Sequence, residues 1–172
     1  MESLKHVAKV AALLILATFP TAARGTGADL AKPPLDVTYV ANEGFLIQAA
    51  GKKVLIDSLF DTGSDTCCLA PSPEALHQLT TPLEPFADVD LLLVTHPDGD
   101  HFNPRLVAAH MRNNARSRLV AHAQTVDQLR KEEGFDQIQD RIHEVKLEPG
   151  SRDRMTVAGV SIDILCLPHS PY

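Results

Sequence analysis

A chain of 172 residues, 44% hydrophobic and 22% charged, carries one domain's worth of sequence and enough apolar material to bury a core. Its formal charge of -6 argues against a general binder of nucleic acid or of anionic membranes, because those partners require a basic face. The three cysteines, two of them adjacent, lack the paired spacing of a structural zinc knuckle.

The N-terminus reads as an export signal. Lys5 and Lys9 give a positive start, residues 10–19 an apolar stretch, and Thr21-Ala22-Ala23 a small-residue cleavage site ending at Ala23. About 10 apolar residues are too few for a stable membrane anchor, which needs about 20. The expected organisation is a signal peptide over 1–23, a linker over 24–35 and one domain over 36–172, with a periplasmic or secreted location. An exported chain can keep disulfides. A bridge between the neighbours Cys67 and Cys68 would be strained, so at most one of them pairs with Cys166, and free thiols are the preferred reading.

Three short β-rich runs follow at residues 37–40, 44–48 and 53–57, the last two joined by the glycine-bearing turn Ala49-Ala50-Gly51-Lys52. They predict an antiparallel meander, with Asp57 standing where an apolar run gives way to a carboxylate. Periodicity fades over residues 58–88, a long connection of the kind that forms lids and binding loops. One short helix inside it is marked by Ser72 as N-cap and Pro73 in the first turn.

A buried strand over residues 89–95 then delivers Val94-Thr95-His96-Pro97-Asp98-Gly99-Asp100-His101-Phe102. Asn103-Pro104 opens a helix over about 104–113. A strand at 119–121, a helix at 125–133 stopped by Gly134, and strands at 142–147, 155–157 and 160–167 complete the pattern. The last strand ends in Cys166-Leu167-Pro168-His169-Ser170, a second histidine at a strand end. The order predicts a mixed α/β fold.

Two histidines and two carboxylates within six residues outline a metal site. Imidazole nitrogen with carboxylate oxygen suits zinc, one ion or two, and also manganese or iron; calcium would take oxygens almost alone. A calcium loop counted from Asp98 fails, since its twelfth place is Ala109. His96 and Asp98 can converge on one ion, and Asp100 and His101, beyond the turn at Gly99, on a neighbouring one, with His169 completing the first. His77, His110, His122 and His143 read as ordinary surface or core residues.

Thr-His-Pro-Asp-Gly-Asp-His resembles the His-x-His-x-Asp-His signature of the metallo-β-lactamase-fold hydrolases, with Asp98 where the second histidine usually stands. The resemblance covers residues 36–170 and implies an α/β, metallo-β-lactamase-like αββα sandwich, of which the N-terminal half to two-thirds is expected here. It implies that His96, Asp98 and His169 hold a first metal and Asp100 and His101 a second. Asp100 would also orient an attacking metal-bound hydroxide, and Asp57 would support the cluster's loop. The family's bridging aspartate and final histidine have no counterpart before Tyr172, so a fragment, or a site for one ion, is expected. The function implied is an exported metal-dependent hydrolase acting on an ester, lactone, amide or phosphodiester of a small-molecule substrate. Two alternatives are a metal-binding relic without catalysis and a nuclease-like phosphodiesterase, the latter disfavoured by the acidic charge. Oligomeric state is not legible in the sequence.

Overall fold

The computed structural model describes residues 10–18, 34–62, 68–81 and 83–169. Among the described residues, nine strands run in chain order with three α-helices between them: β1 (Val10–Thr18), β2 (Leu35–Ala41), β3 (Gly44–Ala49), β4 (Lys52–Ile56), α1 (Pro73–Thr80), β5 (Leu91–Val94), α2 (Pro104–Asn113), β6 (Arg118–His122), α3 (Ala123–Leu129), β7 (Ile142–Val145), β8 (Arg152–Val157) and β9 (Val160–His169).

Six of the strands form one sheet in the order β2-β3-β4-β5-β6-β7. The first three are the antiparallel meander expected from the sequence. Its second turn closes over Ala50 and Gly51, both at positive φ (49° and 73°), the backbone a two-residue hairpin of the right twist requires. From β4 onward the pairs are parallel. Parallel neighbours need crossovers, and α1, α2 and α3 with its following turns supply them. Parallel strands also end at one common edge, so Asp57 after β4 and Thr95-His96 after β5 are brought side by side, with Ile56 opposite Leu93.

Strand alternation sorts the side chains into two cores. One face of the sheet, with Leu46, Leu55, Leu92, Val94 and Leu119, packs against Leu79, Val107, Met111, Val126 and Leu129 of the helices. The other face, with Val54, Leu91, Leu93, Val120 and Val145, packs against Val157, Val160, Ile162, Ile164 and Cys166 of the second, three-stranded sheet, whose order is β1-β9-β8. The layers are therefore helices, sheet, sheet. Three strands do not cover six, and Leu35, Val37 and Tyr39 on edge strand β2 remain 61%, 56% and 62% exposed.

The expected signal segment contributes a strand: Val10–Thr18 pairs antiparallel with β9 along its whole length, from Val10 opposite His169 to Thr18 opposite Ser161. The rest of that segment, and all of the linker before residue 34, lie outside the described residues.

The helix expected over 125–133 is displaced and shorter. It begins at Ala123 because the His122 ring nitrogen accepts from the Gln124 amide at 3.3 Å and caps it. It stops at Leu129 because Lys131 and Glu132 bond back three residues, to Gln128 and Leu129, tightening the chain into turns. Cys166 is a free thiol, buried with its sulfur 3.4 Å from the Leu147 carbonyl; Cys67 lies outside the described residues. Among the described residues no helix is long and apolar enough to cross a membrane.

Candidate metal centre

The site is built on Asp57. This carboxylate is 4% exposed and sits at φ 41°, the left-handed region that aspartate tolerates better than most residues. It accepts from the Thr95 amide (2.9 Å) and the Thr95 hydroxyl (2.6 Å), fixing the first residues beyond β5. The His101 Nδ1 lies 3.1 Å from its second oxygen. A carboxylate can only accept, so Nδ1 carries the proton and Nε2 is the nitrogen presented to the site.

The same reasoning sets the tautomer of His96. The Thr95 hydroxyl donates to Asp57, so at 3.1 Å it accepts from His96 Nδ1. That again leaves Nε2 as the ligating nitrogen. The two imidazoles, 6% and 5% exposed, lie with ring centroids 3.9 Å apart and planes tilted by 51°. One buried carboxylate thus holds both rings in one orientation, through Thr95 for His96 and directly for His101, the arrangement by which protein groups orient metal-ligating histidines.

Ligand-type atoms of His96, Asp100 and His101 lie within 4.8 Å of one another, a grouping able to hold an ion. Asp98 is outside that group, yet its carboxylate stands 3.6 Å from His96 Nε2. Asp100 stands 3.8 Å from His101 Nε2. His169 closes β9, but its side chain is not among the described ones. The histidine pair and the carboxylates around it are a nitrogen and oxygen donor set that fits zinc, manganese or iron. Burial alone would lower the pKa of His101; its hydrogen bond to Asp57 and the charges of Asp57, Asp100 and Glu43 outweigh it and hold the imidazole above its ordinary value.

Two neighbouring segments fix the cluster's loop. Thr62 donates to the Gly99 carbonyl (2.7 Å), the Asn103 amide to the Leu59 carbonyl (2.7 Å), and the Asn103 side chain to Asp61 (2.7 Å). Asn103 also caps α2, its side-chain oxygen accepting from the Arg105 amide at 2.9 Å.

The second segment is the turn between β2 and β3, which the sequence reading did not place at the site. Asn42 Nδ2 donates to the Asp100 carbonyl (3.2 Å) and faces its carboxylate (3.4 Å). Glu43 Oε2 is 3.8 Å from His101 Nε2. Gly44 lets the turn approach: a Cβ there would stand 2.8 Å from Ser58 Oγ and 3.0 Å from the Asp57 carbonyl. Asn-Glu-Gly between two β-rich runs is a turn signal, but nothing local says which other segment the turn meets.

His110, His122 and His143 are not among the grouped ligand residues. His110 is buried, its Nδ1 donating to the Leu79 carbonyl (2.5 Å) and its Nε2 facing the Ser117 hydroxyl (3.1 Å). It joins α1, α2 and the start of β6.

A parallel sheet with strand-end carboxylate, histidine pair and helix-capped loop defines a metal-site fold, and the comparisons give it a family. Residues 52–171 match the β-lactamase superfamily domain. That is well over half of the chain, which belongs to this superfamily and has its metallo-β-lactamase-like fold. No curated protein matches. Among solved structures the chain is similar to a Parabacteroides distasonis protein described as a metal-dependent hydrolase, at 18% identity and TM-score 0.42, over 69% of this chain and 40% of that one. It is also similar to Igni18, a metallo hydrolase from the hyperthermophilic archaeon Ignicoccus hospitalis, at 18% identity and TM-score 0.40, over 69% and 42%. The chain spans about two-fifths of the length of these two proteins.

Proposed function

We propose that this chain is the metal-holding part of an exported metallo-hydrolase acting on an ester, lactone, amide or phosphodiester bond of a small molecule. The observation that carries the reading is the shared support of His96 and His101 by Asp57. Two imidazoles with protonated Nδ1 and unprotonated Nε2, beside the Asp100 carboxylate, are poised for a divalent cation rather than for each other. In the proposed assignment His96, Asp98 and His169 serve one ion and Asp100 and His101 a second, with zinc the preferred metal and manganese or iron also suited.

A bound divalent ion would supply a water of lowered pKa and stabilise negative charge developing on the substrate. The chain's own residues supply the rest. Asp100 is the half-exposed carboxylate at the site, within reach of a water and able to orient its proton. Asp57 is buried, and both of its carboxylate oxygens are engaged in holding Thr95 and His101. Specificity falls to the connection over residues 58–88, whose described beginning, Leu59 to Thr62, is stitched to the cluster's loop.

The test is the metal content of the purified chain and of His96→Ala, followed by hydrolysis of a panel containing one ester, lactone, amide and phosphodiester. Zinc near stoichiometric in the native chain and at least tenfold lower in the variant supports the reading. Equal and negligible zinc in both sinks it. Asp98→His, which moves the site towards the commoner ligand set, is expected to tighten zinc; unchanged affinity would remove Asp98 from the ligands.

A further inference from the structure

We propose that Glu43, carried on the turn between β2 and β3, is a further ligand for the ion on the His101 side of the cluster. The inference rests on the metallo-hydrolase reading and adds to it a carboxylate from a different part of the chain.

Three observations converge. First, Glu43 Oε2 and Asp100 Oδ2 both stand 3.8 Å from His101 Nε2. That is too long for a hydrogen bond, yet close to the separation of neighbouring ligands around one ion. With metal bonds of 2.0–2.2 Å, tetrahedral ligand atoms lie about 3.4 Å apart. Ligand atoms of His96, Asp100 and His101 already lie within 4.8 Å of one another; Glu43 stands outside that grouping, and its exposed side chain has to swing inward to share the cation.

Second, the backbone carrying Glu43 is fixed at the site. The turn is two residues long, closed by the pairing of Ala41 with Gly44. Gly44 presses it against Ser58 and Asp57, where a Cβ would not fit, so the turn cannot lift without undoing a close contact with the very residue that orients His101.

Third, the neighbour in the turn acts on the same ligand set. Asn42 donates to the carbonyl and faces the carboxylate of Asp100, which ties Asp100 to the turn that carries Glu43. A glutamate side chain 70% exposed has no desolvation reason to remain near a buried imidazole, and the pair is too long to be held by a direct hydrogen bond. A cation beside His101 Nε2 would give the imidazole and the two carboxylates, brought from two segments, a common partner.

Cobalt(II) titrated into the purified metal-free chain reads this directly, because its visible absorption reports coordination and calorimetry gives its affinity. Native chain, Glu43→Gln and His101→Ala are compared, with thermal melts of each metal-free chain. Glu43→Gln is expected to melt as the native chain does, to bind cobalt at least tenfold more weakly, and to change the absorption of the bound ion. His101→Ala is expected to weaken the same ion. Cobalt affinity within twofold of native and an unchanged spectrum for Glu43→Gln, with His101→Ala impaired, would overturn the role of Glu43 and leave the metal centre standing. No cobalt uptake by the native chain would overturn both.

Discussion

Asp57 is the residue on which the site's geometry turns, and it is costly to place. A side-chain-bearing residue at φ 41° gives up on the order of 1 kcal/mol relative to ordinary backbone, and a buried carboxylate needs its charge satisfied. The amide and hydroxyl of Thr95 and the Nδ1 of His101 meet that need. Asp57→Ala would leave these buried donors without an acceptor. The expected loss is about 2–4 kcal/mol of stability by urea unfolding of the metal-free chain. Zinc affinity is expected to fall 10–100-fold by calorimetry, the range for removing a group that orients a ligand. An unchanged zinc affinity would mean that the histidines are held by something else. The cluster was legible in the sequence because its residues are contiguous; Asp57 was legible because an apolar strand ends in it. Thr95 was passed over, since a hydroxyl acquires its role only when a carboxylate 38 residues away arrives beside it.

At the scale of elements, the centre is held by the end of a parallel sheet, by α2 with its Asn103 cap, and by the β2–β3 turn pressed onto both. The strands and caps were legible from alternation, from Ser72-Pro73 and from Asn103-Pro104, because those signals are local. The docking of the turn was not legible, because Asn42 and Asp100 meet across 58 residues. The end of α3 was missed for a similar reason: Gly134 marks a stop, but Lys131 and Glu132 had already tightened the chain. Gly44→Ala tests the docking. Its Cβ would meet Ser58 Oγ at 2.8 Å and the Ala41 carbonyl at 2.9 Å, so the turn must move by a few tenths of an ångström or more. Overpacking of this kind costs about 1–3 kcal/mol, and the shift should reach Asp57. The measurement is the melting temperature together with zinc affinity; a fall in both is expected, whereas a fall in melting temperature alone would uncouple the turn from the site.

For the molecule as a whole, buried polar groups set how stability follows pH. Burial, together with the charge of Arg141, pushes the pKa of His110 below its ordinary value despite the bond to Leu79, and burial lowers that of His143 as well. As pH falls below the ordinary imidazole value of about 6.5, the unfolded chain takes up protons that the folded chain refuses. The stability these histidines contribute is therefore complete above about pH 6.5 and declines as pH falls towards their folded values. Asp90 adds a second decline at lower pH. Burial would raise its pKa, but bonds from Arg116, the Lys53 amide and Lys52 outweigh this and lower it, so its contribution is lost as pH falls below about 3.8. Melting temperature followed from neutral pH downward should show the first decline, and His110→Gln should reduce it without abolishing it, since His143 remains. An identical slope in native and variant would mean that His110 does not titrate on unfolding.

The pairing of Val10–Thr18 with β9 and the proposed removal of residues 1–23 as a leader make incompatible demands on one segment. A stretch threaded through an export channel as a leader cannot at the same time be a sheet strand, and a leader clipped after Ala23 takes its strand away with it. Precursor and mature chain would then be different sheets: in the one β9 is an interior strand, in the other a nine-residue margin of open amide and carbonyl groups along residues 161–169. A chain begun at Arg24 is accordingly expected to melt at a lower temperature than the full chain and to self-associate more readily as concentration rises, by light scattering. Equal melting temperatures would mean that the first strand adds nothing to the folded state. If residues 1–23 are removed as proposed, their removal also decides which edge of the sheet is left to be paired.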